Sequence, residues 1–191
     1  MNVAWMGCTF PTSARQVAIA ADEVREICSP RESSLIARGE LVEARLRPTV
    51  CEAVENAAAS LDMHGVRALR VLLHAGFSAY WPLVKATPVK QLQAYEEALQ
   101  RLREHWDGDA EPAAAGAALF RDMDAEAAVF LEMCARRAGA QWLEPVEAVA
   151  AYVVSVLQGA VLRWLADRDD ETILVVLDDL VSSLATRAAD A

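Results

Sequence analysis

The side chains able to do acid–base, nucleophilic or metal chemistry are few and scattered in this chain. Three histidines (His64, His74, His105) and four cysteines (Cys8, Cys28, Cys51, Cys134) are spread over 191 residues. The cysteines lie 20, 23 and 83 residues apart. No Cys-x-x-Cys pair occurs and no two histidines are a helical turn apart, whereas a zinc site needs such close ligands. A disulfide scaffold needs denser cysteines, so buried, reduced thiols in a cytoplasmic protein are expected. Carboxylates cluster at Glu96-Glu97 and at Asp169-Asp170-Glu171. Neither cluster has a histidine one helical turn away, so they read as a solvated helix face and a helix start. The motifs G-x-S-x-G, G-x-G-x-x-G, the phosphate-binding glycine loop and H-E-x-x-H are all absent, which leaves no catalytic residue, metal ligand or cofactor site to expect.

The elements that position these residues read as helices. Residues 1–12 show no period. Val17, Ala20, Val24 and Ile27 recur at helical steps up to Ser29-Pro30, and residues 31–47 alternate charge with Leu35, Ile36, Leu41, Val42 and Leu46 around Gly39. Pro48 suits the first turn of a helix capped by Gly65. Leu69, Leu72, Leu73, Gly76, Phe77, Tyr80, Trp81 and Val84 then form one broad stripe that must face a core or a pocket. Pro82 lies inside that stripe and predicts a kink or an early end near Tyr80-Trp81. Thr87-Pro88 opens a helix carrying Leu92, Tyr95, Leu99, Leu102 and Trp106, and Asp107 to Gly116 reads as a connection. A helix over about 117–138 follows, with Arg136, Arg137 and Gly139 closing it. Glu144-Pro145 starts a helix to Ala166 that is apolar almost all round. The last helix begins in the acidic turn Asp167 to Glu171, carries Ile173, Val176, Leu177, Leu180, Val181 and Leu184, and is expected to end near Arg187.

Composition agrees with an all-α fold, a bundle of about seven to nine helices. Hydrophobic residues make up 54% of the chain, aromatics only 6%, and there are just 8 glycines and 7 prolines. Ordinary domains carry fewer apolar residues and more turn formers. The net charge of −10 is unevenly spread: Lys+Arg against Asp+Glu is 6 against 6 over residues 1–50 and 12 against 22 over 51–191. Acidic surface repels phosphate, so nucleic-acid contact is expected only from the first part. No secretory leader is evident, and the longest charge-free apolar run, 15 residues from Ala148 to Leu162, is short of the roughly 20 a bilayer requires. No membrane partner is expected.

The segment Leu157 to Ala185 (LQGAVLRWLADRDDETILVVLDDLVSSLA) resembles the end of the effector-binding domain of the tetracycline-repressor-like (TetR) family of bacterial regulators. The shared features are Gly159 in an apolar helix, Leu162-Arg163-Trp164-Leu165, the Asp-rich link at Asp167 to Asp170, and a final amphipathic helix. The stretch Ala75 to Arg103 is similar to the middle of many members, with an aromatic helix end, a Pro-capped helix and the pair Tyr95-Glu96. The resemblance spans roughly Gly65 to Ala185. The family's recognition-helix signature, close to G-V-S-x-x-x-x-Y-x-H-F, is missing: no Tyr or Phe lies between Phe10 and Phe77.

The resemblance implies a ligand-responsive transcriptional repressor with two regions: residues 1–60, a divergent, truncated or degenerate helix-turn-helix, and 61–191, an effector-binding and dimerisation domain. It implies a small, largely hydrophobic effector among the helices at 65–85, 88–106, 117–138 and 145–166, with His74, Phe77, Tyr80, Trp81, Tyr95, Met123, Phe130 and Gln158 as lining residues. It implies a homodimer through the last two helices, sharing Val156, Gly159, Ala160, Arg163, Leu177, Leu180, Val181 and Leu184. Operator DNA would be met by Arg31, Arg38, Arg45 and Arg47, although the neighbouring acids make these residues read more readily as a solvated helix face. The alternative is a dimeric ligand-sensing or protein-interaction module that has lost DNA binding.

Overall fold

The computed structural model of the chain describes residues 48–106 and 112–191. Arg31, Arg38, Arg45, Arg47, Cys8 and Cys28 lie outside the described residues. Among the described residues, six helices and one two-stranded ribbon follow one another: α1 (Pro48–Ser60), α2 (Gly65–Lys85), α3 (Pro88–Trp106), α4 (Pro112–Ala138), β1 (Ala140–Trp142), α5 (Val146–Asp167), α6 (Asp170–Ala185) and β2 (Ala188–Asp190). The all-α character is therefore as expected, with the ribbon as its exception.

Helix α2 is the central element, packed between α1 and α4 on one side and α6 on the other, while α5 packs on α4 and α6. Its whole expected stripe is buried, from Leu69 to Val84, and each large apolar side chain taken out of water contributes on the order of 1.5–3 kcal/mol. Helices α2 and α6 run antiparallel, since Arg70 meets Ser182 at one end and Lys85 meets Asp170 at the other. Helices α5 and α6 form an antiparallel pair, with Tyr152 on Ser183 and Trp164 on Asp170. Helix α1, which the sequence groups with the N-terminal region, contributes Val50 and Val54 to this same core.

Several boundaries differ from expectation for identifiable reasons. Pro82 does not end α2, which runs on to Lys85; only one helical N–H is missing there, and the flanking Tyr80, Trp81 and Val84 are buried in the core. Gly65 does not cap α1, which stops at Ser60; it opens α2 at φ +72°, a conformation glycine takes without steric cost. Pro112 lies at the first position of α4 rather than in a connection. Helix α3 leaves Leu92 and Leu99 exposed, so its apolar stripe is not core and only the Tyr95 side is partly buried. Helix α6 stops at Ala185 because the next residues are drawn into the ribbon, where Ala188 pairs with Trp142 and Asp190 with Ala140.

Polar groups fix the corners. Gly139 (φ +67°) closes α4 as expected. Asp190 Oδ1 accepts the Val66 N–H at 2.8 Å, satisfying a donor at the start of α2. Arg168 takes the left-handed conformation (φ 58°) at the end of α5, and Asp169 caps α6 by accepting from the Glu171 and Thr172 N–H groups. Bonds from the Thr172 hydroxyl and backbone hold the Asp169 pKa below the usual carboxylate value. A depressed folded pKa contributes stability above the ordinary value, and that stability is lost as pH falls through the folded one. The Asp169→Ala variant should therefore melt below wild type at pH 7, with the two melting temperatures converging below about pH 4, as a pH series of thermal melts by circular dichroism would show.

Candidate functional site

The spacing 74, 77, 78, 81, 82 and 85 puts six residues on one face of α2. Opposite them, α6 presents Leu174, Leu177, Asp178 and Val181. Between the two faces lies a cleft of about 200 Å³ lined by these ten side chains. Ser78 is too short, and the Pro82 ring too compact, to fill the space that Leu174 and Asp178 leave across the gap. Two polar clasps hold the helices at either end of it. Lys85 Nζ lies 2.8 Å from Asp170 Oδ2, and Arg70 donates to the Ser182 hydroxyl at 3.2 Å.

The floor is apolar: Phe77, Trp81, Leu177 and Val181 are all nearly inaccessible. Trp81 stands edge-on to Trp164, with ring centroids 5.6 Å apart. The Trp164 indole donates to Asp170 Oδ1 at 2.8 Å, and Arg168 stacks 4.4 Å over the Trp164 ring. The Lys85 ammonium, ahead of the bond from Trp164, holds the Asp170 pKa below the usual carboxylate range. On the rim, His74 Nδ1 and the Ser78 hydroxyl are 3.3 Å apart. The Trp81 indole N–H is buried and has no acceptor.

The eight expected effector residues fall into three groups. His74, Phe77 and Trp81 line the cleft. Tyr80 and Phe130 are core residues, with Phe130 packed on Phe77 at a centroid distance of 5.4 Å. Tyr95, Met123 and Gln158 form a strut joining α3, α4 and α5: the Tyr95 hydroxyl donates to the Gln158 carbonyl at 2.7 Å, and the Gln158 amide donates to Met123 Sδ at 3.3 Å. Burial pushes the Tyr95 phenol well above its usual pKa. The cleft thus lies on the α6 side of α2, not among the four helices expected.

Ser78, Pro82, Lys85, Leu174 and Asp178 were not singled out from the sequence. The first three follow from His74 and Trp81 by helical spacing; the α6 wall does not, because spacing within one helix does not say which helix it meets. Glu126, buried in α4 at 1% exposure, also gave no sequence signal. Among the described residues, no group of three or more His, Cys, Asp or Glu is placed to hold a metal ion.

The residues expected at a dimer interface fall into two groups. Ala160 of α5 is buried within its own chain, and so are Leu177, Leu180, Val181 and Leu184, because the apolar stripe of α6 is consumed by α2 and α5. Val156 is half-buried, while Gly159 and Arg163 are exposed. The outward face of α5 carries Ala148, Ala151, Ser155, Gly159 and Leu162, and a Cβ built on Gly159 meets nothing within 4 Å. Its 22 residues are long and apolar enough to cross a bilayer by length and composition alone, but Val149, Val153, Val154, Leu157 and Trp164 are spent on the core. Comparison with protein-family models, with curated proteins and with solved structures finds no match to this chain.

Proposed function

We propose that the chain is a TetR-type, ligand-responsive transcriptional regulator, a homodimeric repressor whose effector binds in the helical region described above. The observation that carries this reading is the α5–α6 pair: the segment that resembles the family folds as a long apolar helix, an aspartate-rich turn and an amphipathic helix, joined through Trp164. In this mechanism the effector shifts a two-state equilibrium, changing the spacing of two N-terminal DNA-contacting units and lowering operator affinity. Arg31, Arg38, Arg45 and Arg47 are the phosphate contacts it calls for, and the acidic remainder of the chain keeps DNA off the effector region.

A mobility-shift assay with the DNA upstream of the chain's own gene tests it. Salt-sensitive binding weakened by a small hydrophobic effector is expected; no salt-sensitive binding at any concentration would sink the reading. The missing recognition-helix signature favours a second reading, a dimeric sensing module without DNA binding, which that negative result would select. Either reading uses a dimer, placed on the outer face of α5. Gly159→Leu adds bulk into open space, so the fold should stand while the association weakens at least about tenfold by the rule that overpacked contacts are costly. Sedimentation equilibrium should give twice the 20.7 kDa chain mass for wild type and a lower average for the variant; an unchanged dimer would remove α5 from the interface.

A further inference from the structure

We infer that the α2–α6 cleft binds a small organic cation, an amine with a compact apolar body whose ammonium donates to the carboxylate of Asp178. As the effector of the regulator proposed above, this ligand rests on that reading; its binding is tested without DNA.

The two clasps fix what faces what across the cleft. From the Arg70–Ser182 contact to the Lys85–Asp170 contact, α2 advances by 15 residues while α6 recedes by 12. His74 therefore comes opposite Asp178, and Ser78 opposite the turn that holds Leu174; all four line the cleft. Asp178 is exposed, and among the described residues no hydrogen bond or ion pair engages its carboxylate. The chain's own nearby donors are spent elsewhere: Lys85 is held by Asp170, Arg70 donates to Ser182, and His74 is bonded with Ser78. Whatever fills the cleft takes water from the Asp178 carboxylate, and a charge deprived of water without a partner is costly. A neutral hydroxyl meets that cost only in part. An anion adds repulsion from Asp178 on a chain of net charge −10. An ammonium meets it with a charge-assisted hydrogen bond. The rest of the ligand must be apolar, since Leu174, one turn before Asp178, is 57% exposed at the mouth, and Phe77 and Leu177 close the floor. An apolar cavity of about 150 Å³ accepts benzene, so about 200 Å³ suits one ring with a short aminoalkyl arm.

The test titrates the full-length, 15N-labelled protein at pH 7 with 2-phenylethylamine, with 2-phenylethanol as the neutral isostere and phenylacetate as the anionic one. The amine should move the amide resonances of Ser78, Leu174 and Asp178 together. A partly solvated ion pair corresponds to roughly a two- to fivefold change in affinity. The amine should therefore bind about that much more tightly than the alcohol, phenylacetate should bind most weakly, and added salt should narrow the spread. Asp178→Asn should remove the amine's advantage over the alcohol. Leu174→Lys sets a tethered ammonium one helical turn from Asp178 and should also remove it, by occupying the carboxylate from within. Both positions are exposed on α6, so neither substitution disturbs the core, and each keeps the test decisive without the other.

Equal affinity for the amine and the alcohol, tighter binding of phenylacetate, or an amine advantage that survives Asp178→Asn would each overturn the inference. So would shifts scattered over the acidic surface and not gathered at the cleft. Amine binding at the cleft of a protein that binds no DNA would leave the site standing and remove the regulator. DNA binding with no response at the cleft would do the reverse.

Discussion

Phe130→Ala should lower the stability by about 3–5 kcal/mol, the usual cost of emptying a buried aromatic site. At about 2–4 °C per kcal/mol for a chain of this size, the melting temperature falls by about 6–20 °C. Phe130 is 1% exposed, and its ring packs on Phe77. It also occupies the space above Gly76: a Cβ there would run into the Phe130 ring and touch Val54 Cγ2 at 3.4 Å. Gly76 is therefore what lets α4 approach α2. Gly76→Ala gains about 1 kcal/mol in helix propensity, but the ring it strikes is locked in the core, and overpacking costs about 1–3 kcal/mol. It should be net destabilising alone and become neutral or stabilising in the Phe130→Ala background, where the methyl enters vacated space. Urea unfolding of the four proteins closes the cycle; additive effects would show that Gly76 and Phe130 are not in contact.

Trp164→Ala is the second large effect, again about 3–5 kcal/mol. Trp164 joins three helices: its own α5, α2 through the edge contact with Trp81, and α6 through the bond to Asp170. Its removal also leaves Arg168 without the ring beneath it and Asp170 with Lys85 as its remaining side-chain partner among those bonds. Trp164→Phe keeps most of the buried area and removes the N–H donor, so it should cost much less than the alanine variant. Chemical denaturation monitored by far-ultraviolet circular dichroism separates the two; equal losses would place the energy in the hydrogen bond and not in the packing.

Helices whose periodic stripes are buried within the chain were legible because period and burial agree there. The α2 stripe from Leu69 to Val84 is the clearest case: every residue named in it is buried. The Asp-rich turn was legible for the same kind of local reason, since Asp169 supplies the oxygen that the first N–H groups of α6 require. The ribbon was not legible. Ala140-Gln141-Trp142 and Ala188-Ala189-Asp190 have weak strand propensity, and each becomes a strand only by meeting the other. The cleft was half legible: His74, Phe77 and Trp81 were named from α2, while its second wall depends on α6 lying antiparallel beside α2. The same α6 residues, Leu177 and Val181, are expected from the sequence at a dimer interface, and the structure places them in this wall. A helical stripe shows that a face will be covered, and its partner is fixed only by tertiary packing.

The bond from Val66 N–H to Asp190 spans 124 residues, and it sets an order of events during synthesis. Helices α1 and α2 can pair as soon as they leave the ribosome, because their contacts are local. The first turn of α2 acquires its cap only after residue 190 has emerged and β2 has annealed to β1. Until then the central helix of the fold has an uncapped start, and until α6 has emerged its α6-facing side, with Phe77, Trp81 and the stripe around them, is open to water and to chaperones. Such distant closure raises contact order and slows the final step relative to helix formation. Locking of the tertiary structure is thereby deferred until nearly the whole described sequence has been made.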